Sequence, residues 1–367
     1  MKEFIIREND AGQRLDRFIG KAVPLLPTSL CQKYIRKKRI KLNGKSVSHK
    51  QILIAGDIVT MYVNDEFFLP SKSLPLSSNG LAQKTGKSGD FPLSSPQLEP
   101  SSLPSRSFVL DVIFEDKNIL LLNKPAGILC HSNSRIIDGS LLSEVLRYLQ
   151  NSGEYDPLAE TTFAPALCNR IDRNTSGIVV AAKNAETLRI INEKIRLREI
   201  DKYYLAAVSG RPNPPEGKIE GFWTKDKQKN IAAISLNAPS GNPLTADIKK
   251  VITEYKTLKT IENISLIECK LITGRSHQIR AHLSAIGHPI IGDKKYGGSK
   301  RHKITTNTEF EAFQALCSYK LTFSFKSDAG TLSYLDGKTF MIENIPFLDE
   351  YFGNRNIGKN NLGVFDN

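Results

Sequence analysis

The 367-residue chain reads as an α+β protein built on a mixed, mostly antiparallel sheet. Three observations predict this class and its division into units. Apolar runs of strand length outnumber segments with helical period. They follow one another irregularly instead of alternating strictly with helices, as a doubly wound parallel sheet would require. And the stretch from residue 66 to 107, FFLPSKSLPLSSNGLAQKTGKSGDFPLSSPQLEPSSLPSRS in its Ser/Pro/Gly-rich part, cannot bury enough apolar surface to offset its chain entropy. The expected organisation is therefore a small unit at 1–65, a flexible linker at 66–107, a large unit at 108–350 and a tail at 351–367.

In the small unit, AGQRLDRFIGKAV repeats apolar residues at Leu15, Phe18, Ile19 and Val23, a helical spacing that buries one face. SLCQKYIRKKRI predicts a second helix with Ser29 as N-cap, and Asn43-Gly44 in KLNGKSV marks a hairpin turn before the strand-like IVTMYV. The run KYIRKKRIK carries Lys33, Arg36, Lys37, Lys38, Arg39 and Lys41. A solvated basic face is the plain reading of such a run. Helix, basic turn and hairpin together, opening on RLDRF, nevertheless resemble the S4 RNA-binding module.

The large unit opens with VLDVIFEDKNILLLNKPAGIL, two strand-length runs and then a break at Pro125 and Gly127. GIVVAAK reads as a strand. Asn184 then caps a helix with Leu188, Ile191 and Ile195 on one face, which leads into the strand KYYLAAVSG. ISLIECKLI and YKLTFSF read as further strands. HQIRAHLSAIG reads as a helix that buries Ile279, Leu283 and Ile286 and ends at Gly287.

Fifty-one Lys+Arg against 38 Asp+Glu give a net charge of +13, which favours a polyanionic partner, nucleic acid first, by attraction and counterion release. No stretch approaches the roughly 20 apolar residues of a spanning helix, and MKEFIIRENDAGQRLD lacks the apolar core of a signal peptide, so no membrane partner is expected. Five cysteines, odd in number and without a CxxC, fit reduced thiols in the cytoplasm.

One short segment raises a chemical question. In CNRIDRNTSG a single aspartate, Asp172, stands between Arg170 and Arg173 at the mouth of an apolar strand. A metal site would recruit further acids or histidines nearby, and the segment has none.

CNRIDRNTSG, KYYLAAVSG and LITGRSHQIRAHLSAIGHPIIGDKKYG together resemble the motifs of the pseudouridine synthases, in the ribosomal large-subunit branch that carries an N-terminal S4 domain. KPAGIL upstream, with QALCSYKLTF and GKTFMIENIPF downstream, extends the resemblance over most of the large unit. It implies a cofactor-free isomerisation of uridine within RNA. The bond from C1′ to N1 breaks, the uracil turns, and C5 bonds to C1′. Because the departing base is kept, one ionised carboxylate is enough, where a retaining hydrolase needs a second acid to activate water.

The resemblance casts Asp172 as the catalytic aspartate, Arg280 as its ion-pair partner, and Tyr204 as the residue that stacks on the uracil and assists proton loss from C5. Arg170 is then the residue that enters the RNA when the target nucleotide flips out. Arg173, Lys202, Arg275 and His277 are further candidates for RNA contact, with Lys33, Arg36, Lys37, Lys38 and Arg39 of the small unit. Tyr203 should face the other way, since side chains alternate along a strand. Asn169 departs from the branch, which usually has histidine there. His277 and His282 lie five apart on the expected helix, off a common face and without the acid of HExxH, and Gly127, Gly177 and Gly274 form no GxGxxG, so neither zinc nor a nucleotide cofactor is expected. The expected partner is RNA, 23S rRNA first and transfer RNA as the alternative, bound by a monomer. A non-catalytic RNA-binding protein on the same scaffold and a hydrolase releasing uracil are the rival readings.

Overall fold

A computed structural model describes residues 1–68, 108–132, 139–226, 231–237, 248–297 and 313–353. The chain divides into two units, Met1–Ser107 with Asp156–Phe163, and Phe108–Tyr155 with Ala164–Asn367.

In the first unit, β1 (Lys2–Ile5), β2 (Ile40–Leu42) and β3 (Ile58–Met61) form an antiparallel sheet with β3 in the middle, and α1 (Leu15–Ala22) and α2 (Thr28–Arg36) complete it. Leu15, Phe18, Ile19 and Val23 are all fully buried, as the helical spacing requires, beside Ile35, Val59 and Met61. Asn43 and Gly44 turn the chain with φ of 51° and 75°, and Leu42 and Lys45 exchange two backbone hydrogen bonds of 2.9 Å across them.

Three expectations change in this unit. Pro27, not Ser29, stands at the N-cap of α2, without a side-chain cap. The helix stops before Lys38, whose φ of 59° turns the chain, so the basic run spans a helix end, a turn and a strand. The unit also continues past 65, because a 3₁₀ turn at Asp65–Phe67 leads to Phe68, whose ring lies 6.4 Å from that of Phe4. The rest of the expected linker, 69–107, lies outside the described residues.

The segment Asp156–Phe163 belongs to this unit for a polar reason. Asp10 is fully buried, and its Oδ1 accepts from the backbone NH and the hydroxyl of Thr162 at 3.1 and 2.6 Å. A linear division at one linker has no means of finding such an excursion.

Among the described residues, the second unit holds an eleven-stranded sheet. Its strands are β4 (Val112–Glu115), β5 (Ile119–Lys124), β6 (Ala166–Leu167), β7 (Ser176–Ala182), β8 (Ile200–Ser209), β9 (Glu216–Asp226), β10 (Ile231–Ser235), β11 (Lys249–Ile261), β12 (Ile264–Leu271), β13 (Leu316–Phe323) and β14 (Thr339–Met341). They run in the order β10-β9-β11-β12-β8-β13-β7-β5-β4, with β14 on β13 and β6 on β7. Among the described residues every pairing is antiparallel except β13 with β7, so the mixed, mostly antiparallel α+β class is the one observed. At that parallel junction Gly177 has φ of 121°, and a Cβ there would lie 2.3 Å from the carbonyl oxygen of Ser318. Only glycine lets β13 close on β7, directly after the Asp172 segment.

The helices of this unit are α3 (Leu141–Asn151), α4 (Ala185–Leu197), α5 (Gln278–Ala285) and α6 (Pro346–Phe352). Asn184 caps α4 as its position predicts, its side chain accepting from the Thr187 backbone at 2.9 Å, and Ile191 is fully buried with Leu188 and Ile195 half-buried beside it. The tail begins later than 351, since Phe352 closes α6 inside the core at 2% exposure; residues 354–367 lie outside the described residues.

Candidate active site

Asp172 sits in the turn that feeds β7, on the wall of a cleft of about 630 Å³. The turn is held from several sides. Lys124, at the end of β5, is fully buried and spends its three donors on the carbonyls of Pro125, Ile128 and Arg173 at 2.8, 2.9 and 3.1 Å. The Gly127 amide also donates to the Arg173 carbonyl, and Arg173 Nε returns a bond to the Gly127 carbonyl, both at 2.9 Å. Beyond the aspartate, the Thr175 amide donates to the Asp172 carbonyl and Gln314 holds the Thr175 hydroxyl at 2.7 Å. Burial pushes the Lys124 pKa down to about 8, against the opposing pull of nearby Cys130 and Asp172. KPAGIL contributes a clamp on the aspartate's turn, a role that its sequence did not reveal.

The opposite wall carries α5. Arg280 Nη1 donates to Asp172 Oδ2 at 2.8 Å, so the expected ion pair is present. Its Nε and Nη2 donate to Asp293 Oδ2 and Oδ1 at 2.7 and 2.9 Å, and Asp293 is itself only 1% exposed. One guanidinium thus bridges two carboxylates, one fixed in the interior and one presented to the cleft at 24% side-chain exposure. Burial pulls the Arg280 pKa down, but the hydrogen bonds and charges of Asp293 and Asp172 more than offset it, and the net shift is upward. The Tyr296 ring lies 5.0 Å from the guanidinium and adds a cation–π contact. Asp293 and Tyr296 both fall in the quoted GDKKYG, where nothing in the local pattern marked a buried acid.

Tyr204 lines the cleft from β8, and burial pushes its hydroxyl up to about 12, a hydrogen bond with Ser318 opposing. Tyr203 faces away as alternation requires, its ring under Lys320 at 4.1 Å and Lys270 at 5.4 Å. Arg170, Lys202, Arg275 and His277 also line the cleft. Arg170 and Arg275 are exposed; Lys202 is largely enclosed, and burial lowers its pKa while Asp201 opposes.

His277 does not belong to a helix. It occupies the N-cap of α5 with φ of 56°, its Nδ1 bonded to the Tyr296 hydroxyl at 2.9 Å and its Nε2 3.9 Å from Asp172 Oδ2. Burial lowers its pKa, with the Asp172 charge opposing. His282 is fully buried and its Nδ1 shares a hydrogen bond with the Thr253 hydroxyl at 2.8 Å.

Of the second unit's candidates, Arg173 is the one that the cleft does not include: its guanidinium is turned to the Gly127 carbonyl. Asn169 is consumed in structure. Its Oδ1 accepts from the Val180 amide at 2.8 Å and its Nδ2 donates to the Ile178 carbonyl, so both ends of the amide lie on the β7 backbone. In the first unit, Lys33, Arg36, Lys37, Lys38 and Arg39 are all exposed, with Arg39 over the Tyr34 ring at 5.5 Å and Lys41 over that of Tyr62 at 5.6 Å.

The cleft therefore presents the Asp172 carboxylate oriented by Arg280, a second carboxylate, Asp201, paired with Lys270, a buried phenol and a basic rim. That set suits a reaction that builds positive charge on a carbon of a polyanionic substrate.

Comparison with known proteins gives concordant results. The family model for RNA pseudouridylate synthase matches residues 118–285. The chain is 30% identical over 344 residues to an uncharacterized RNA pseudouridine synthase of Mycoplasma capricolum, covering 93% of this chain and 97% of that one. It is 29% identical to ribosomal large subunit pseudouridine synthase C of Vibrio cholerae, over 80% of this chain and 79% of the relative. Among solved structures, human RNA pseudouridylate synthase domain containing 4 shares the fold, with a TM-score of 0.51 at 20% identity over 66% of this chain and 92% of that one.

Proposed function

The chain belongs to the RNA pseudouridine synthase family, in the branch of the ribosomal large-subunit enzymes, and from that premise we propose that it isomerises a specific uridine of 23S rRNA with Asp172 as the group that meets the anomeric carbon. The observation that carries the residue assignment is the bridge Asp172–Arg280–Asp293, which keeps the Asp172 carboxylate oriented and paired inside a cleft large enough for a nucleotide.

The chemistry follows from the positions. A base stacked in a helix hides C1′ and C5, so the target nucleotide must leave the stack, and Arg170 at the exposed rim is suited to occupy the vacated space. As the bond from C1′ to N1 breaks, the electron pair leaves with the uracil and positive character grows on the sugar, facing the Asp172 carboxylate. The uracil turns within the cleft, C5 bonds to C1′, the C5 proton departs through a relay in which Tyr204 takes part, and N1, freed of the sugar, takes up a proton from solvent. Atoms balance without a co-reactant: the product is an isomer of the substrate. Arg280 holds the carboxylate in place through its 2.8 Å hydrogen bond to Oδ2.

The first unit serves as an S4-like RNA-binding module. Its exposed turn of cations beside Tyr34 and Tyr62 supports that role, since phosphate contacts and base-stacking rings recur together on RNA-binding surfaces. With rRNA as substrate, the place of work is the cytoplasm, to which five free cysteines are suited.

Pseudouridine mapping of total RNA tests the reading in cells that lack the protein and in cells that carry Asp172→Asn. One or a few sites in 23S rRNA should vanish in both. Sites lost from transfer RNA would reassign the substrate, and modification unchanged in the Asp172→Asn cells would remove Asp172 from the mechanism.

A further inference from the structure

Trp223, the single tryptophan of the chain, lies on β9 beside the cleft and has no part in the bridge described above. Its indole Nε1 donates to the carbonyl of Ser276 at 3.0 Å, and Ser276 stands between Arg275 and His277 on the cleft wall. The ring is half-buried: its polar edge is fixed and part of its surface is open.

Strand geometry shows what surrounds it. Side chains at 221, 223 and 225 share one face of β9. A Cβ at Gly221 would lie 3.6 Å from His282 Nε2, so this is the face turned toward α5. Lys225 is exposed, and its charge reaches His277. Directly across on β11, the register partner of Trp223 is Lys249; on β10 it is Ile234. An anchored indole therefore sits among Lys225, Lys249 and the exposed Arg275, next to the residues that flank Asp172's partner helix.

Burial of a core tryptophan requires neither the open surface nor three cations around it. An aromatic plate framed by phosphate-binding side chains is the arrangement that holds an unpaired nucleotide, because every base has a π-face and every nucleotide a phosphate. We infer that Trp223, with Lys225, Lys249 and Arg275, forms a stacking subsite for an unpaired nucleotide of the RNA strand that flanks the uridine in the cleft. The inference rests on the reading of the cleft as an RNA site. It adds a substrate requirement: the target lies in a single-stranded stretch or loop, with a neighbour free to stack on the indole.

The lone tryptophan makes the test direct. The probes are a ten-nucleotide oligouridylate and an abasic ribose-phosphate strand of equal length, each titrated against the full chain. Oligouridylate should quench the intrinsic fluorescence and the abasic strand should not. By anisotropy of end-labelled probes, oligouridylate should bind the wild type more tightly than the abasic strand. Trp223→Ala should cut that preference by about tenfold, whereas Trp223→Phe keeps most of it. A tryptophan that only braces the Arg275–His277 loop would show no base-dependent quench, and that result overturns the inference even if Trp223→Ala folds poorly, since it is read on the unaltered protein. An equal preference in Trp223→Ala also overturns it. Asp172→Asn should keep the full quench, so failure of the stacking subsite and failure of the catalytic assignment are separately visible.

Discussion

Arg280 and Asp293 meet edge to edge, Nε on Oδ2 at 2.7 Å and Nη2 on Oδ1 at 2.9 Å, and this fork leaves one nitrogen, Nη1, to aim at Asp172. A planar guanidinium meets one carboxylate with a two-pronged fork and a second with its remaining nitrogen, and an ammonium has no such planar fork. Arg280→Lys should therefore lower the single-turnover rate by about 100-fold or more while RNA affinity stays within about threefold, because the charge survives and the geometry does not. Arg280→Met should in addition cost roughly 3–5 kcal/mol of stability, since Asp293 would be left buried without its partner. Stopped single-turnover assays and chemical denaturation measure the two effects. A fully active Arg280→Lys would show that the reaction does not depend on the orientation that this bridge gives Asp172.

Tyr204 has its pKa raised to about 12 by burial, so its hydroxyl stays protonated through the neutral range. It can then act by stacking and by passing a proton on, not as a preformed phenolate. Tyr204→Phe keeps the ring and removes the hydroxyl. It should bind RNA within about twofold of wild type and lose on the order of 100-fold in product formation, with the pH profile of the wild type showing no Tyr204 limb below pH 10. Gel-shift affinity and pseudouridine yield, measured on the same RNA, separate the two properties.

His282 gives a dependence of stability on pH whose sign is fixed. Burial lowers its folded pKa to about 4 from an ordinary 6.5, so between those values the unfolded chain binds a proton that the folded chain refuses. Stability is complete above about pH 6.5 and is lost as pH falls toward 4, by roughly 3 kcal/mol for this group. His282→Gln keeps a hydrogen-bonding side chain near Thr253 and does not titrate. The difference in unfolding free energy between wild type and His282→Gln should shrink or reverse from pH 7 to pH 4.5; a constant difference would mean that His282 takes its proton in the folded state as well.

Charge reversal is a better probe of the first unit than truncation, because Asp10 and Thr162 tie the segment Asp156–Phe163 to it and a cut after residue 65 would strip that segment of its partners. Lys37→Glu, Lys38→Glu and Arg39→Glu combined should weaken RNA binding and flatten its salt dependence by up to about two in log–log slope, with little change in the single-turnover rate at saturating RNA. An unchanged slope would mean that the basic turn does not meet phosphate.

Much of this protein is legible in local pattern. Period and punctuation located the helices that bury Phe18 and Ile191, the Asn43-Gly44 turn and the Asn184 cap, because each depends on residues within one or two turns of chain. Asp172, Tyr204 and Arg280 stood out through motif resemblance, and their convergence in one cleft is a property of the folded sheet. What local pattern could not supply is every contact that closes over long separations. The carboxylate that fixes Arg280 comes from Asp293, the ammonium that clamps the Asp172 turn comes from Lys124, and the excursion 156–163 answers to a buried acid at Asp10. Helical and strand periods arise from neighbours along the chain, and hydrogen bonds between buried charges arise from neighbours in space. The sequence by itself determined most of the elements and nominated the candidate groups; the tertiary structure decided which partners orient those groups and face them to the cleft, because buried hydrogen bonds and ion pairs exist only once the chain has excluded water.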